Sequence, residues 1–282
     1  MKSIIKILAI LVMIISIILF IKEFNKNTNI AENNLEIPVL MYHHFDEYNE
    51  NTSSETVYKE EFREQMKYLN ENGYTAITTK DIFDYKNGSK QVPNKPILIT
   101  ADDGYLSNYE IMYPILKENN LKATIFLIGD RIDNARTSNI GIPKIDWLQA
   151  KEMYNSGVID FQSHTYNSHD IVETRDGQKG NFSSALINES EEEYKKRIDE
   201  DIKLSIDGFE KNLGYKPIAF AYPFGQFSNI SEEVLKSNNI KISFTVKDGF
   251  ILLDKGTYLL NRINVAKKDS IQTFINKIKN NK

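Results

Sequence analysis

Residues 96–104 read Pro-Ile-Leu-Ile-Thr-Ala-Asp-Asp-Gly. The run from Pro96 to Thr100 is apolar or β-branched without helical spacing, the pattern of a strand buried on both faces. Asp102, Asp103 and Gly104 follow it directly. Strands of this kind belong to parallel sheets covered by helices, and in such sheets chemistry gathers at the carboxyl ends of the strands.

The flanking sequence repeats the pattern in both directions. Strand-like runs occupy residues 37–42 (IPVLMY), 74–78, 123–128 (ATIFLI), 158–162, 218–222, 242–246 and 259–265. Helical patterns lie between them. Residues 58–72 place Phe62, Met66 and Leu69 on one face before Gly73, and Thr79 is expected to cap a short helix. Further helices are predicted over 109–119, over 146–156 before Gly157, over 190–213 before Gly214, from Ser231, and from Asp269 or Ser270 to the end. Seven or eight strands, each mostly followed by a helix, predict an α/β fold with a parallel barrel or doubly wound sheet. Residues 37–282 read as one domain, with residues 171–188 as a Gly- and Ser-bearing loop over one face.

Composition narrows the chemistry. The chain has 282 residues, 41% hydrophobic and 26% charged, enough for a sizeable core and too apolar for disorder. Lys+Arg 35 against Asp+Glu 39 gives a net charge of −4 without a basic cluster, which argues against nucleic acid as a partner. With Cys 0 there is no disulfide framework, cysteine zinc site or thiol nucleophile. Only four histidines carry imidazole chemistry.

At the N-terminus, residues 7–20 are apolar apart from Ser16. Extended to Ile4 and Ile21, the run reaches about 18 residues, just enough to cross a bilayer. No small-x-small cleavage site ends it, so residues 1–22 are expected to be an uncleaved transmembrane anchor and residues 23–36 a polar tether. The expected location is the cell membrane, single-pass, with the bulk of the chain extracytoplasmic, or secreted if the segment is cleaved. Nothing in the sequence suggests more than a monomer.

The ends of the strands hold the informative residues. His43 and His44 follow the first strand; Ser163, His164 and His169 follow residues 158–162; Pro223, Phe224 and Gly225 follow residues 218–222; Arg262 lies in the last strand. Each alone has a bland reading: Asp-Asp-Gly is usually a turn, and two histidines five apart do not share a helical face. Their joint placement at one end of the predicted barrel favours a site. Two imidazoles and a carboxylate suit Zn²⁺, with Co²⁺, Mn²⁺ or Fe²⁺ also compatible, and a second carboxylate beside them suits a general base. Hydrolysis of an amide or ester is the natural reaction class.

Residues 99–105 (ITADDGY), 163–169 (SHTYNSH) and 222–225 (YPFG) resemble, in order and spacing, the motifs of the NodB-homology polysaccharide deacetylases, carbohydrate esterase family four. The resemblance covers roughly residues 36–268. It implies a deformed (β/α)7-8 barrel, a metal held by Asp103, His164 and His169, and Asp102 as general base. It also implies removal of acetyl from N-acetylglucosamine units of a polysaccharide, with the Phe224 main-chain N–H at the oxyanion. Tyr105, Tyr166 and Tyr222, beside these motifs, are candidate substrate contacts. Trp147 reads as core.

Three departures stand out. Ala101 replaces the usual aromatic, Ala221 stands where many members carry an arginine that orients the base, and residues 260–262 (LNR) lack the Leu-x-His that supplies the acid. The acid must then come from His43 or His44, or from a group other than imidazole. Residues 39–44 (VLMYHH) resemble the opening strand of the branch acting on poly-β-1,6-N-acetylglucosamine, and His43 is the expected acid. Arg262 is the expected replacement for the missing arginine. Peptidoglycan or chitin-like oligomers as substrates, and a degenerate glycan-binding protein on the same fold, are the alternatives.

Overall fold

The computed structural model describes residues 13–19, 36–48, 53–138, 141–265, 267 and 269–280. Two compact units are distinguished, Ile37–Ile251 with Thr257–Lys282, and Met1–Glu36 with Leu252–Gly256. In the second, residues 13–19 are helical and Leu253–Lys255 forms a 3₁₀ turn. Apart from residues 13–19 and Glu36, the expected anchor over 1–22 and tether over 23–36 lie outside the described residues. Among the described residues, no helix is long and apolar enough to cross a membrane.

The first unit is built on eight parallel strands. They are β1 (Val39–Tyr42), β2 (Thr75–Ile77), β3 (Pro96–Asp102), β4 (Ala123–Leu127), β5 (Ile159–Ser163), β6 (Ala219–Ala221), β7 (Ile242–Phe244) and β8 (Ile263–Asn264). The spatial order is β7-β6-β5-β4-β3-β1-β8, and β2 joins the start of β3 with Ile77 opposite Leu98. The segment leading into β8 touches both edges. Leu260 exchanges backbone hydrogen bonds with Ser243 and Thr245 of the β7 edge, while Ile263 pairs with Leu40 and Val265 N–H donates to Met41 O. The sheet is therefore curled on itself, as the deformed barrel requires.

Strand alternation sorts the side chains. Ile97, Ile99 and Ala101 of β3, Ile125 and Leu127 of β4, and Phe161 of β5 enter the main core with Phe62, Met66 and Leu69 of α1 (Lys59–Glu71). Full burial of such side chains contributes roughly 1.5–3 kcal/mol each. The alternate residues, Thr100, Asp102, Thr124 and Gln162, are buried and polar. Leu98 and Phe126 share that inner face, so it is mixed, with the polar side chains set among apolar ones. Ala101 lies on the outer face, so the missing aromatic there is a matter of core packing rather than of the site.

Several boundaries differ from the sequence reading. Strand β3 runs two residues beyond Thr100, so Asp102 is its last residue and points inward. The caps are Thr78 for α2 (Thr79–Lys86), Asp146 for α3 (Trp147–Asn155), Ser190 for α4 (Glu191–Leu213) and Ser228 for α5 (Asn229–Ser237). Ser231, expected to open α5, instead donates its N–H to the Ser228 hydroxyl. The predicted helix over 109–119 begins as a π turn at Asn108–Met112 and becomes α-helical at Tyr113–Glu118, where Pro114 removes one backbone donor. The expected loop over 171–188 contains an antiparallel hairpin, Ile171–Thr174 with Gly177–Gly180. Its turn is closed by Thr174 Oγ1–H donating to Gly177 O, and its end is held by Gly180 N–H donating to Gln226 Oε1.

Candidate active site

Two left-handed residues make the turn that carries the chemistry. After β3, Asp103 has φ 73° and Gly104 φ 66°. A Cβ on Gly104 would meet Leu127 Cδ2 at 2.7 Å, so only glycine fits without displacing the core. The reversal turns Asp103 toward the loop after β5. There Asp103 Oδ1 lies 3.6 Å from His164 Nε2 and 3.3 Å from His169 Nε2, and the two imidazole nitrogens are 3.1 Å apart. His164 Nδ1–H donates to Ala221 O at 2.7 Å, which leaves its Nε2 lone pair facing the cluster.

This donor set fits a divalent cation. Asp103 Oδ1 is buried and has no hydrogen-bond partner, and three ligand atoms converge within 4.8 Å. Ligands about 2.0–2.1 Å from a tetrahedral ion stand roughly 3.3 Å from one another, close to the spacings seen here. Protonation states agree. Burial alone would raise the Asp103 pKa, but Lys144 and the imidazoles hold it well below the usual range. Burial, with His164 beside it, brings His169 down to about 3, so the ring is neutral at pH 7.

Asp102 lines the same cavity as Asp103 but is held by a different partner. Arg262 Nη1 and Nη2 donate to its two oxygens at 2.7 and 2.8 Å, and Arg262 Nε donates to Thr245 O. Both side chains are buried. Burial opposes ionisation of Asp102, but Arg262, with His164 and His43 nearby, lowers its pKa below the ordinary value. The guanidinium enters from the segment before β8. Ala221, with its small side chain, stands at the position where relatives of this pattern are expected to carry the arginine.

His43 and His44 separate as alternation demands. His43 Nε2 is 3.9 Å from Asp102 Oδ2, its Nδ1 is buried without a partner, and Asn108 Nδ2 donates to its carbonyl. His44 is turned aside, with Nδ1 2.8 Å from Ser107 Oγ and its ring against Tyr105. A cavity of about 430 Å³ joins His43, Asp102, Asp103, His164, His169 and Phe224. Phe224, at φ 57° in the Pro223–Gly225 turn, rests its half-exposed ring on His169.

The three tyrosines part company. Tyr105 carries Lys144 Nζ 3.2 Å above its ring. Tyr166 points its hydroxyl to Asp133 at 3.0 Å. Tyr222 reaches the cavity wall but is fully buried, with its hydroxyl donating to Glu232, so it offers no ring face to a ligand. Trp147 packs edge-on against Phe209, the core position read from sequence. Lys144 and Asp201 carry weight that the sequence reading missed. Lys144 has no local signal, whereas Asp201 is a carboxylate on the apolar face of α4.

A family model for polysaccharide deacetylases matches residues 89–243. The chain belongs to the polysaccharide deacetylase family. A poly-beta-1,6-N-acetyl-D-glucosamine N-deacetylase of Staphylococcus epidermidis is 30% identical over 78% of this chain and 71% of its own. A de-N-acetylase of Aggregatibacter actinomycetemcomitans superposes with a TM-score of 0.77 at 26% identity, covering 86% of this chain and 100% of that one. IcaB from Ammonifex degensii superposes at 0.72 and 26% identity, over 87% and 97%. The polysaccharide deacetylase match includes Asp102, Asp103, His164, His169 and Phe224, while His43 and Arg262 lie beyond it.

Proposed function

We propose that this deacetylase removes N-acetyl groups from N-acetylglucosamine units of an extracellular polysaccharide in a metal-dependent hydrolysis, and that its polymer is β-1,6-linked. The observation that carries the reading is the convergence of Asp103 Oδ1, His164 Nε2 and His169 Nε2 in one cavity with Asp102 and His43. The names of the relatives support the linkage.

Asp103, His164 and His169 would hold a divalent ion, Zn²⁺ being the first choice, and when bound it would supply Lewis-acid polarisation of a carbonyl and a lowered pKa of water. Asp102 takes the proton of the attacking water, and Arg262 fixes the carboxylate's orientation. The Phe224 main-chain N–H, in the Pro223–Gly225 turn beside the cavity, is assigned to the oxyanion. His43 delivers a proton to the leaving amine as the C–N bond breaks, giving acetate and a glucosamine unit. The half-exposed Phe224 and Val246 line the cavity and suit the apolar face of a pyranose. The apolar run at residues 7–20 supports an extracytoplasmic location for the catalytic unit.

The test is amine release by the full chain from N-acetylglucosamine oligomers of matched length, β-1,6 beside β-1,4. Faster release from the β-1,6 series is expected. Equal or faster release from the β-1,4 series contradicts the linkage.

A further inference from the structure

His164 and His169 are five residues apart and belong to no common helix, yet their Nε2 atoms meet at 3.1 Å. One carboxylate explains how. Asp201 Oδ2 accepts the N–H of Tyr166, while Oδ1 accepts the N–H of Asn167 and the hydroxyl of Ser168, each at 2.8 Å. Three of the four residues between the histidines thus bond to Asp201. The fourth, Thr165, has φ 74°, the reversal that turns the following N–H groups toward it.

The same loop is gripped on its other flank. Gly129 N–H donates to Thr165 O and Asp130 N–H to Tyr166 O. A Cβ on Gly129 would lie 2.6 Å from Tyr166 Cδ2. Helix α4 otherwise buries Tyr194, Ile198, Ile202 and Phe209 on this face, where an unsatisfied carboxylate would be costly. Asp201 is only 6% exposed, and its loop donors are what satisfy it.

We propose that Asp201 is a positioning residue for the metal-ligand pair: it winds residues 165–168 so that both imidazoles face Asp103. The proposal rests on the metal reading above. Removal of such an outer support weakens metal binding by about 10–100-fold.

The test measures Zn²⁺ affinity of the full chain by competition with a chromophoric chelator, alongside the thermal midpoint without metal, for wild type, Asp201→Asn and Ser168→Ala. The asparagine keeps the volume but aims an NH₂ at loop donors. The expected result is a loss of about 10–100-fold in Zn²⁺ affinity of folded Asp201→Asn, a smaller loss for Ser168→Ala, and a changed visible spectrum with Co²⁺. A lowered midpoint with wild-type affinity and spectrum would overturn the proposal, since Asp201 would then only stabilise the fold. If Asp201→Asn does not fold, Ser168→Ala decides: unchanged affinity overturns the inference and weaker affinity supports it. Failure of the wild type to bind Zn²⁺ would instead overturn the ligand assignment itself.

Discussion

Arg262 and Asp102 meet fork to fork, two guanidinium N–H groups on two carboxylate oxygens at 2.7 and 2.8 Å, with the guanidinium side chain fully buried and the carboxylate 3% exposed. They are 160 positions apart in sequence. A paired charge of this kind is costly to break, because the remaining partner is left buried and alone. Arg262→Gln is expected to lower stability by about 3–5 kcal/mol, read as a fall in the denaturant midpoint, together with loss of turnover. Wild-type activity in a folded Arg262→Gln would remove Arg262 from the site.

His43 and His44 are adjacent but unequal. His43 lies in the cavity beside Asp102, whereas His44 is held by Ser107. His43→Ala is expected to cut kcat by about 10²–10⁴-fold, and His44→Ala by less than tenfold, in single-turnover assays on the same oligomer. The reverse order would make His44 the acid.

Gly225 closes the Pro-Phe-Gly turn at φ 67°, and a Cβ there would stand 2.4 Å from Val246 Cγ2 and 2.8 Å from Val246 N. Backbone cannot yield as a side chain can. Gly225→Ala should therefore lower the thermal midpoint and also reduce kcat by displacing the Phe224 N–H. A fully active, equally stable alanine variant would show that the turn does not position that donor.

The sequence told where the chemistry sits because parallel sheets put it at strand ends, and Asp102, Asp103, His164 and His169 stand directly there. Partners that depend on tertiary approach were harder to read. Arg262 offered only its place in the last strand, and its pairing with Asp102 depends on the curl that brings β8 beside β1. Asp201 left a readable trace as a charge on an apolar helix face, while Lys144 left none. Tyr222 was misleading: its neighbours Pro223 and Phe224 border the cavity, but its hydroxyl turns to Glu232 in the core. The hairpin over 171–180 was hidden because its residues are polar and Gly-bearing, and contacts from Gln226 and Ser184 help hold it in place.

Asp160, on β5, accepts from Thr79 and Gln162, yet desolvation pushes its pKa up to about 6 despite those donors. A raised carboxyl pKa means that the folded state binds the proton more tightly than the unfolded chain. The stabilisation from this group is present below about pH 4 and is lost as pH rises to about 6. The thermal midpoint of Asp160→Asn minus that of wild type should accordingly increase between pH 4 and pH 7. A flat difference would mean that Asp160 titrates normally.

Turnover is expected to depend on one divalent ion held by Asp103, His164 and His169. The most direct measurement treats the full chain with chelator, returns Zn²⁺ in substoichiometric steps, and follows acetate release from β-1,6-linked N-acetylglucosamine oligomers. The expected result is no release at the start, a linear rise to one equivalent per chain, and no rise in Asp103→Ala despite retained folding. Release that survives chelation unchanged, or that rises equally in Asp103→Ala, would contradict it.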